Sequence, residues 1–322
     1  MRIRLAAAVI FFLVLATASC GIKQQVKGQY FLKTEKFEQG VSNFRAELAE
    51  DPNSPSANYF MGRFLLGEEK AQEAAAHFAK AVQFAPDNAD YRFWLGVAEG
   101  ETGEESAERR NYLAALKIDP DHLMSRTYLA HLQLKAGENE KALKNYERVL
   151  EDWPYSAQAL YNRALILGRL GRTPEEKTAW KLYLAAWPEG PLARYATDHL
   201  NALGDFDYRN HVIGKRLVTL EKIAFEPLGS ELVNGESASL DLVGEILERT
   251  AGLELHVIAY QLNNAGLARQ RASAVSRYVR ENFDIPASRI KASWFDQPEK
   301  IKADGKVFNE PESINIFAIS KK

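Results

Sequence analysis

Five prolines at a constant spacing of 34 residues constrain the fold of this chain more than any other feature. Pro52, Pro86, Pro120, Pro154 and Pro188 follow one another without a slip, although proline is sparse, with 12 residues in 322. Self-similarity at a fixed period of this length is typical of arrays of small repeated units. The period therefore predicts one structural unit built five times, ending near residue 190.

Three further columns of the sequence keep the same phase. Eight residues before each proline stands an aromatic residue: Phe44, Phe78, Tyr112, Tyr146, Trp180. Four residues before each proline stands an aliphatic residue: Leu48, Val82, Leu116, Leu150, Leu184. Twenty-four residues before each proline stands a glycine or alanine: Gly28, Gly62, Gly96, Ala130, Ala164. Composition bias alone would not keep four columns in phase.

This pattern resembles the tetratricopeptide repeat (TPR), a 34-residue unit of two helices, A and B. The small column would let helix A approach helix B closely, and the proline would end helix B because its ring and missing N–H stop a helix. A two-helix unit cannot bury its apolar face alone, so we expect the units to stack. A helical array of another family remains the alternative.

Two details of the repeats lead to separate expectations. A small residue twelve positions before the proline is present as Gly40, Ala74 and Ala142, but Glu108 and Glu176 replace it. Units three and five are therefore expected to pack more loosely at that position. The segment 173–176, Thr-Pro-Glu-Glu, predicts a capping box with proline at the first helical position.

The N-terminal segment has the pattern of a secretory signal. A short basic start precedes an apolar run, Leu5 to Ala18, that is too short to span a bilayer. The only cysteine of the chain, Cys20, follows small residues and resembles the lipidated cysteine of bacterial lipoproteins, although Thr17 departs from the family's preferred leucine. Gly21 resembles the outer-membrane sorting pattern. The alternative is an ordinary signal peptide with an incidental cysteine.

The TPR resemblance implies a groove for a protein or peptide partner, lined mainly by helix A. Carried onto this sequence, its central positions are Tyr59, Arg63, Phe93, Val97, Thr127, His131, Tyr161 and Leu165. These residues form an aromatic and aliphatic stripe with one cation, which suits an apolar or amphipathic peptide and lacks the basic clamp of chaperone-binding repeats. The alternative is that Tyr59, Phe93 and Tyr161 only pack against the adjacent unit.

The residue pattern changes after Gly204. Residues 191–204 predict one more helix, which would cap the array. Beyond it, strands are expected at 218–225, 253–260, 290–294 and 314–319, and helices at 237–250 and 267–282. Strands that alternate with helices indicate an α/β layer structure.

This order resembles the OmpA-like domain, a peptidoglycan-binding module of outer-membrane proteins. The resemblance rests on Ile223–Leu232 as first strand and turn, on the central strand 255–260, and on the helix with Arg271 and Ala272, followed by 285–290. Arg271 matches the family's ligand-binding arginine. Leu262 stands where the family has its ligand-binding aspartate, so any residual peptidoglycan site would depend on Arg271, Asn263 and Asn264.

Other functions find little support in the sequence. A net charge of −2 shows no broad basic surface, so no nucleic-acid partner is expected. The six histidines are scattered, and no metal-ligand pair, catalytic constellation or phosphate-binding loop is present. We therefore expect no catalytic activity, no metal and no cofactor.

The sequence as a whole predicts a TPR α-solenoid of five repeats and a capping helix, followed by a small α/β domain with a mixed sheet. The predicted boundaries are 1–19 for the signal peptide, 20–190 for the repeats, 191–205 for the capping helix and linker, and 206–322 for a degenerate OmpA-like domain. The predicted function is a lipid-anchored scaffold for protein partners, located at the outer membrane and facing the periplasm. The alternative is a peptidoglycan-binding tether.

Overall fold

A computed structural model describes residues 23–233 and 237–320. The predicted signal peptide, 1–19, and Cys20 lie outside these residues. Antiparallel helices fill the N-terminal part: α1 (23–33), α2 (Phe37–Glu50), α3 (Pro55–Gly67), α4 (Ala71–Phe84), α5 (Ala89–Glu101), α6 (Glu105–Ile118), α7 (Leu123–Lys135), α8 (Asn139–Asp152), α9 (Ala157–Arg169), α10 (Thr173–Ala186) and α11 (Pro191–Ala202). Helices α1 to α10 form five A–B pairs. No helix in the described part has both the length and the apolar composition to cross a membrane.

Each proline of the 34-residue column lies just beyond a helix B, as predicted. The five B helices end at Glu50, Phe84, Ile118, Asp152 and Ala186, in every case two residues before the proline. The residue after the helix has left the helical region of φ and ψ at Asp51 (φ −133°, ψ 86°), and likewise at Ala85, Asp119 and Trp187. This is the conformation that a following proline favours.

In the second and third repeats, the glycine of the small column contacts the aromatic residue of the same repeat. A methyl group placed on Gly62 would lie 2.8 Å from the ring of Phe78, and one on Gly96 would lie 2.8 Å from the ring of Tyr112. Phe78 and Tyr112 are fully buried. Glycine therefore allows helix A to rest directly on the aromatic ring of helix B. In the first unit, Gly28 meets Phe60 of the next unit instead.

The expectation that units three and five pack more loosely is wrong. Glu108 packs against Gly100, where an added methyl carbon would lie 2.6 Å from the Glu108 carboxyl carbon, and Glu176 packs in the same way against Gly168. The other three units carry leucine at this glycine position: Leu32, Leu66, Leu134. Large and small residues have therefore exchanged places between the two helices, and the space stays filled.

Both glutamates also accept a hydrogen bond from the aromatic residue one turn later in the same helix. Tyr112 Oη donates to Glu108 Oε1 at 3.0 Å, and Trp180 Nε1 donates to Glu176 Oε1 at 3.2 Å. Burial raises the pKa of the Glu108 carboxyl, although its hydrogen bond with Tyr112 opposes this effect. The predicted capping box at 173–176 is wrong for the same reason: Glu176 points inward, and the N-cap residue of α10 is Arg172, which makes no side-chain cap.

The chain divides into two compact units between Val149 and Leu150. The second unit begins with the last residues of α8 and contains the fifth repeat and the C-terminal sheet, and polar contacts join these two parts. Lys181 Nζ of α10 lies 3.1 Å from Asp205 and 2.9 Å from Asp207. Asn201 of α11 donates to the carbonyl oxygens of Asp205 and Tyr208. The helix expected after the repeats is present as α11, and the domain boundaries placed at 191–205 stay a prediction.

The C-terminal region holds the elements β1 (Tyr208–Ile213), β2 (Arg216–Glu221), α12 (Ala238–Arg249), β3 (Leu253–Gln261), α13 (Ala265–Asn282), β4 (Ile290–Phe295), β5 (Glu299–Ala303), β6 (Lys306–Glu310) and β7 (Glu312–Ser320). Five of the strands form a mixed sheet with the order β2-β1-β7-β3-β4. Strand β1 pairs with β2 antiparallel and with β7 parallel, whereas β3 pairs with β7 antiparallel and with β4 parallel. A separate hairpin consists of β5 and β6.

Buried and partly exposed residues alternate along β3, and the buried ones show which face of the sheet is covered. Leu253, Leu255, Val257 and Ala259 point to one face and are buried in one cluster with apolar residues of α12 and α13. This period of two is the pattern of a strand with one covered face. The predicted strand at 218–225 is partly wrong: β2 ends at Glu221, and Ile223–Leu232 forms a loop closed by one bridge between Phe225 and Leu232.

A buried ion pair joins the sheet to the β5–β6 hairpin. Arg209 of β1 donates to both carboxylate oxygens of Glu299 of β5, at 2.7 and 3.0 Å. Ser313 and Asn315 of β7 donate to the same carboxylate, at 2.7 and 3.0 Å. Glu299 is therefore fully occupied by hydrogen bonds, which a buried carboxylate requires. The network fixes the β5–β6 hairpin on the sheet.

Candidate functional site

The predicted groove residues at the fifth position of helix A are mostly internal. Phe93 is 1% exposed and packs against Trp94, Tyr112 and Tyr128, with ring centroids 5.1 to 5.7 Å apart. Thr127 is buried and donates to the carbonyl oxygen of Leu123 in its own helix. For Phe93 the packing alternative describes the side chain, because almost no surface is left for a partner.

Tyr59 is also buried, but its hydroxyl group contacts Arg63, another predicted groove residue. Arg63 Nη1 donates to Tyr59 Oη at 2.7 Å, and the Arg63 guanidinium carbon lies 3.6 Å from the ring centroid of Trp94. Burial raises the pKa of Tyr59, so the hydroxyl stays protonated at neutral pH. A guanidinium stacked on an indole ring and held by a hydroxyl group has lost most of its freedom before any ligand arrives.

The ninth positions of helix A reach the surface. Arg63, Val97 and His131 are all partly exposed. His131 lies between the rings of Tyr128 and Tyr146, at 5.8 and 5.7 Å, and burial lowers its pKa. His131 is therefore neutral at neutral pH and offers a hydrogen-bonding ring rather than a charge.

The fifth repeat belongs to the second unit and is described by itself. Tyr161 is partly exposed and contacts the rings of Trp180, Tyr183 and Tyr195, at 5.2 to 6.3 Å. Burial raises its pKa to about 12. Leu165 is partly exposed one turn later. These two side chains lie at the edge of an aromatic cluster.

A cavity of about 670 Å³ lies on the first three repeats. We call it the repeat cavity. Its lining includes apolar and aromatic groups together with Arg63, a set that we call its floor: Leu32, Phe37, Arg63, Leu66, Trp94, Val97. Three carboxylates, Glu35, Glu69 and Glu101, also line it, and we call this set its wall. The volume lies in the range of small-ligand and side-chain pockets.

Sequence analysis predicted only some of the residues that line this cavity. Arg63 and Val97 were predicted groove residues, and both line it. Leu66, at the twelfth position of helix A, belongs to the family's groove pattern and could have been included. Trp94 follows the buried Phe93, and no sequence signal distinguished which of the two aromatic residues turns outward.

Arg271 lies in a network of contacts within the second unit. It is 7% exposed; its Nη1 donates to Gln261 Oε1 at 2.8 Å and to Glu312 Oε2 at 2.9 Å, and its Nε donates to the Gly229 carbonyl oxygen at 3.0 Å. The guanidinium also stacks on the Phe225 ring, 4.8 Å from its centroid. The hydrogen bond and charge of Arg271 lower the pKa of Glu312. The positive charge of Arg271 is thus neutralised by the chain itself.

The residues beside Arg271 have structural tasks or point to solvent. Asn264 caps α13, since its Oδ1 accepts from the Leu267 N–H at 3.0 Å. Asn263 is exposed at φ 60°, and its backbone N–H donates to the Asp296 carbonyl oxygen. Leu262 is 44% exposed. Within 23–233 and 237–320, no group of three or more His, Cys, Asp or Glu residues is arranged to hold a metal ion.

A family model described as tetratricopeptide repeat matches residues 26–89 and 129–196. The chain contains TPR repeats. The matched ranges include helices of the first, second, fourth and fifth predicted units. TPR repeats are a scaffold for protein–protein interaction, and this is the activity class that the repeats of this chain indicate.

Solved TPR structures are similar to this chain at low sequence identity. PilF of Pseudomonas aeruginosa has a TM-score of 0.54 and 16% identity, over 59% of this chain and 87% of PilF. A TPR-containing protein of Cytophaga hutchinsonii has a TM-score of 0.49 and 15% identity, over 56% and 71%. YrrB, described as a TPR protein with an unusual peptide-binding site, has a TM-score of 0.46 and 19% identity, over 52% and 87%.

At these identities PilF shares the fold with this chain, and nothing further follows from the likeness. A comparison with curated protein sequences finds no match.

Proposed function

We propose that this protein is a lipid-anchored bacterial envelope protein whose repeats bind a segment of a partner protein. The repeat cavity is the observation that carries the proposal. It combines an apolar floor with a guanidinium that is already positioned by Trp94 and Tyr59. A rigid, partly apolar pocket of this kind binds with little loss of side-chain freedom.

The chemistry of the cavity defines what can enter it. Leu66, Trp94 and Val97 are partly exposed and present apolar surface. Burying one leucine-sized side chain against such a floor stabilises a complex by about 1.5–3 kcal/mol. A few anchors of this size supply most of the binding energy in a typical interface. The proposal includes no catalytic step, metal or cofactor.

Lipidation at Cys20 would hold the repeats near a membrane surface. Helix α1 is already formed at residue 23, three residues after Cys20. Three residues span about 10 Å at most. We place the protein at the outer membrane, facing the periplasm, on the basis of Gly21 and the signal pattern.

The anchor can be tested by a single substitution. In cells given an alkyne-bearing fatty acid, Cys20→Ala should lose the label and move from the membrane fraction to the soluble fraction. Labelling and membrane attachment that persist in this variant would refute lipidation at Cys20.

The binding surface can be tested with two matched substitutions. Val97→Gln places a polar group on the cavity floor, whereas Leu113→Gln changes a residue of α6 that is 51% exposed and does not line the cavity. Partners crosslinked in envelope membranes should be lost from the first variant only, with helix content by circular dichroism unchanged in both. Equal recovery of partners from both variants would show that the cavity is the wrong surface.

Peptidoglycan binding by the C-terminal domain is the competing function, and we do not favour it. The family's arginine binds a ligand carboxylate, but here Glu312 already supplies a carboxylate to Arg271 at 2.9 Å. A ligand would have to displace that group and leave Glu312 without its partner. Leu262 offers no acceptor for a ligand ammonium group.

A further inference from the structure

The wall of the repeat cavity carries a net negative charge. Glu35, Glu69 and Glu101 line it, and none of the three forms an ion pair with any residue in the described part of the chain. The single cation of the lining, Arg63, is held by Trp94 and Tyr59. Of the adjacent cations, Lys70 pairs with Glu68 at 2.7 Å, Lys36 contacts the hydroxyl group and ring of Tyr30, and Lys33 is exposed and does not line the cavity.

Two of these glutamates occupy a backbone position that favours glycine. Glu35 and Glu69 have φ values of 55° and 60°. The equivalent residues of the next three repeats, each 34 residues further on, are glycines with φ of 85°, 74° and 70°: Gly103, Gly137, Gly171. A residue with a side chain is strained in this left-handed region. The turn therefore does not require glutamate, and in the first two of the three repeats that line the cavity a carboxylate takes the place of glycine.

We propose that the repeat cavity selects a cationic segment, one in which lysine or arginine stands beside an aliphatic or aromatic side chain. The inference rests on the proposed function, since it names the class of segment that the cavity binds. The apolar side chain lies on the floor against Leu66, Trp94 and Val97. The cationic group lies at the wall, where the carboxylates offer it ion pairs. Acidic segments are repelled by the same charges.

The experiment uses peptides of known sequence. A random library of twelve-residue peptides is displayed on phage and selected on the immobilised full chain, and the enriched peptides are synthesised. Their dissociation constants are then measured for the wild type, for the double variant Glu35→Gly, Glu69→Gly, and for Val97→Gln. The control is Glu50→Gln, Glu73→Gln, which removes two exposed carboxylates that do not line the cavity.

The proposal expects enriched peptides to carry lysine or arginine next to an apolar residue. Their dissociation constants should rise about fivefold to thirtyfold in the Glu35→Gly, Glu69→Gly variant, as the loss of two exposed ion pairs would give, and by less than about twofold in the control. Added salt should weaken binding to the wild type more than binding to the double variant.

Two failures can be told apart. Neutral or acidic peptides that bind the wild type and the double variant equally, but lose binding in Val97→Gln, would overturn this inference and leave the proposed function standing. Peptides that bind Val97→Gln as well as they bind the wild type, or a selection that enriches none, would overturn both.

Discussion

Glu35 and Glu69 stand in the same turn position that glycine holds in the last three repeats. Both have positive φ, so their backbone is strained where the later repeats are relaxed. At these two positions the backbone conformation favours glycine, whereas the glutamate side chain adds a carboxylate to the lining of the repeat cavity.

Glu69→Gly should stabilise the protein even though it removes a side chain. Relief of the left-handed strain outweighs the added freedom of the unfolded chain, so the free energy of unfolding should rise by about 0.5–1 kcal/mol. Urea unfolding measures this as a higher midpoint with an unchanged slope.

A neighbouring residue provides the control for this stability prediction. Glu68 has φ −93°, an ordinary value, so Glu68→Gly relieves no strain, adds freedom to the unfolded chain, removes the ion pair with Lys70 and should lower stability. A Glu69→Gly variant that loses as much stability as Glu68→Gly would show that φ at position 69 is not the controlling factor.

Prediction from sequence succeeds for some site residues and fails for others for physical reasons. Arg63 and Val97 were found because they occupy repeat positions whose direction follows from the period of the helix. Phe93 was predicted to be a groove residue, with packing as the alternative, and it is buried, because it packs against the rings of Tyr112 and Tyr128. The pairing of Arg271 with Glu312 spans 41 residues and depends on tertiary structure that no local pattern contains.

Helix pairs show a compensated exchange of residues at the scale of the element. Where helix A carries Leu66 the facing residue of helix B is Ala74, and where helix A carries Gly100 it is Glu108. Comparison of single positions treats Glu108 as a misfit, whereas the pair of positions combines one large and one small residue in both repeats. Packing acts on pairs across the A–B interface, so one column alone predicts it poorly.

A double-mutant cycle tests this exchange in the third repeat. The background is Tyr112→Phe, which removes the hydroxyl group that donates to Glu108. In that background Gly100→Leu should cost about 1–3 kcal/mol by overpacking, and Glu108→Ala should also destabilise by leaving a void. Together they recreate the second repeat's residues, so the coupling energy should favour the double variant by at least about 1 kcal/mol. Additive losses would contradict the compensation.

The strands were predicted unevenly for a related reason. Strands β3 and β7 contain apolar runs and were predicted within about two residues of their bounds. Strand β1 and the β5–β6 hairpin were missed, because their short sequences mix charged and apolar residues. Asp304-Gly305, which joins β5 to β6 with both φ values positive, is the turn signal that could have indicated the hairpin. Their position depends on the pairing of Arg209 with Glu299, which lie 90 residues apart.

His211 of β1 makes the stability of the second unit depend on pH. Burial, assisted by the charge of Arg209, lowers its pKa to about 4, and Nδ1 donates to the Ile316 carbonyl oxygen at 2.8 Å. The unfolded chain binds a proton near pH 6.5. The neutral ring therefore contributes fully above pH 6.5, and this contribution is lost as the pH falls toward 4.

Between pH 7 and pH 5 this residue should lower the free energy of unfolding by about 2 kcal/mol. Urea unfolding at the two pH values, followed by tryptophan fluorescence, measures the change. His211→Gln retains an N–H donor but cannot be protonated, so its loss over the same range should be smaller by that amount. Identical pH dependence in the two proteins would contradict the assignment. The pKa of Glu299 is lowered by Arg209, Ser313 and Asn315 despite burial. Glu299 is present in the wild type and in His211→Gln, so its effect on stability is common to both proteins.

At the scale of the whole molecule, the proposed function gives the repeats the binding role and leaves Arg271 a structural one. The full chain should not sediment with diaminopimelate-type sacculi above the level of a non-binding control protein. Arg271→Ala should lower the stability of the second unit, because it removes the partner of Glu312 and leaves the Gln261 and Gly229 acceptors unpaired. Specific sedimentation that is abolished by Arg271→Ala would favour the peptidoglycan tether instead.

Site-specific photocrosslinking in cells that produce the full chain tests the central claim most directly. A benzophenone amino acid is placed at Ala71, which lines the repeat cavity at the start of α4, or at Leu113, which is exposed on α6 outside it. We predict crosslinks from position 71 that map to one short segment of a partner protein, and none from position 113. Equal crosslinking from both positions, or crosslinks from position 113 alone, would contradict the account.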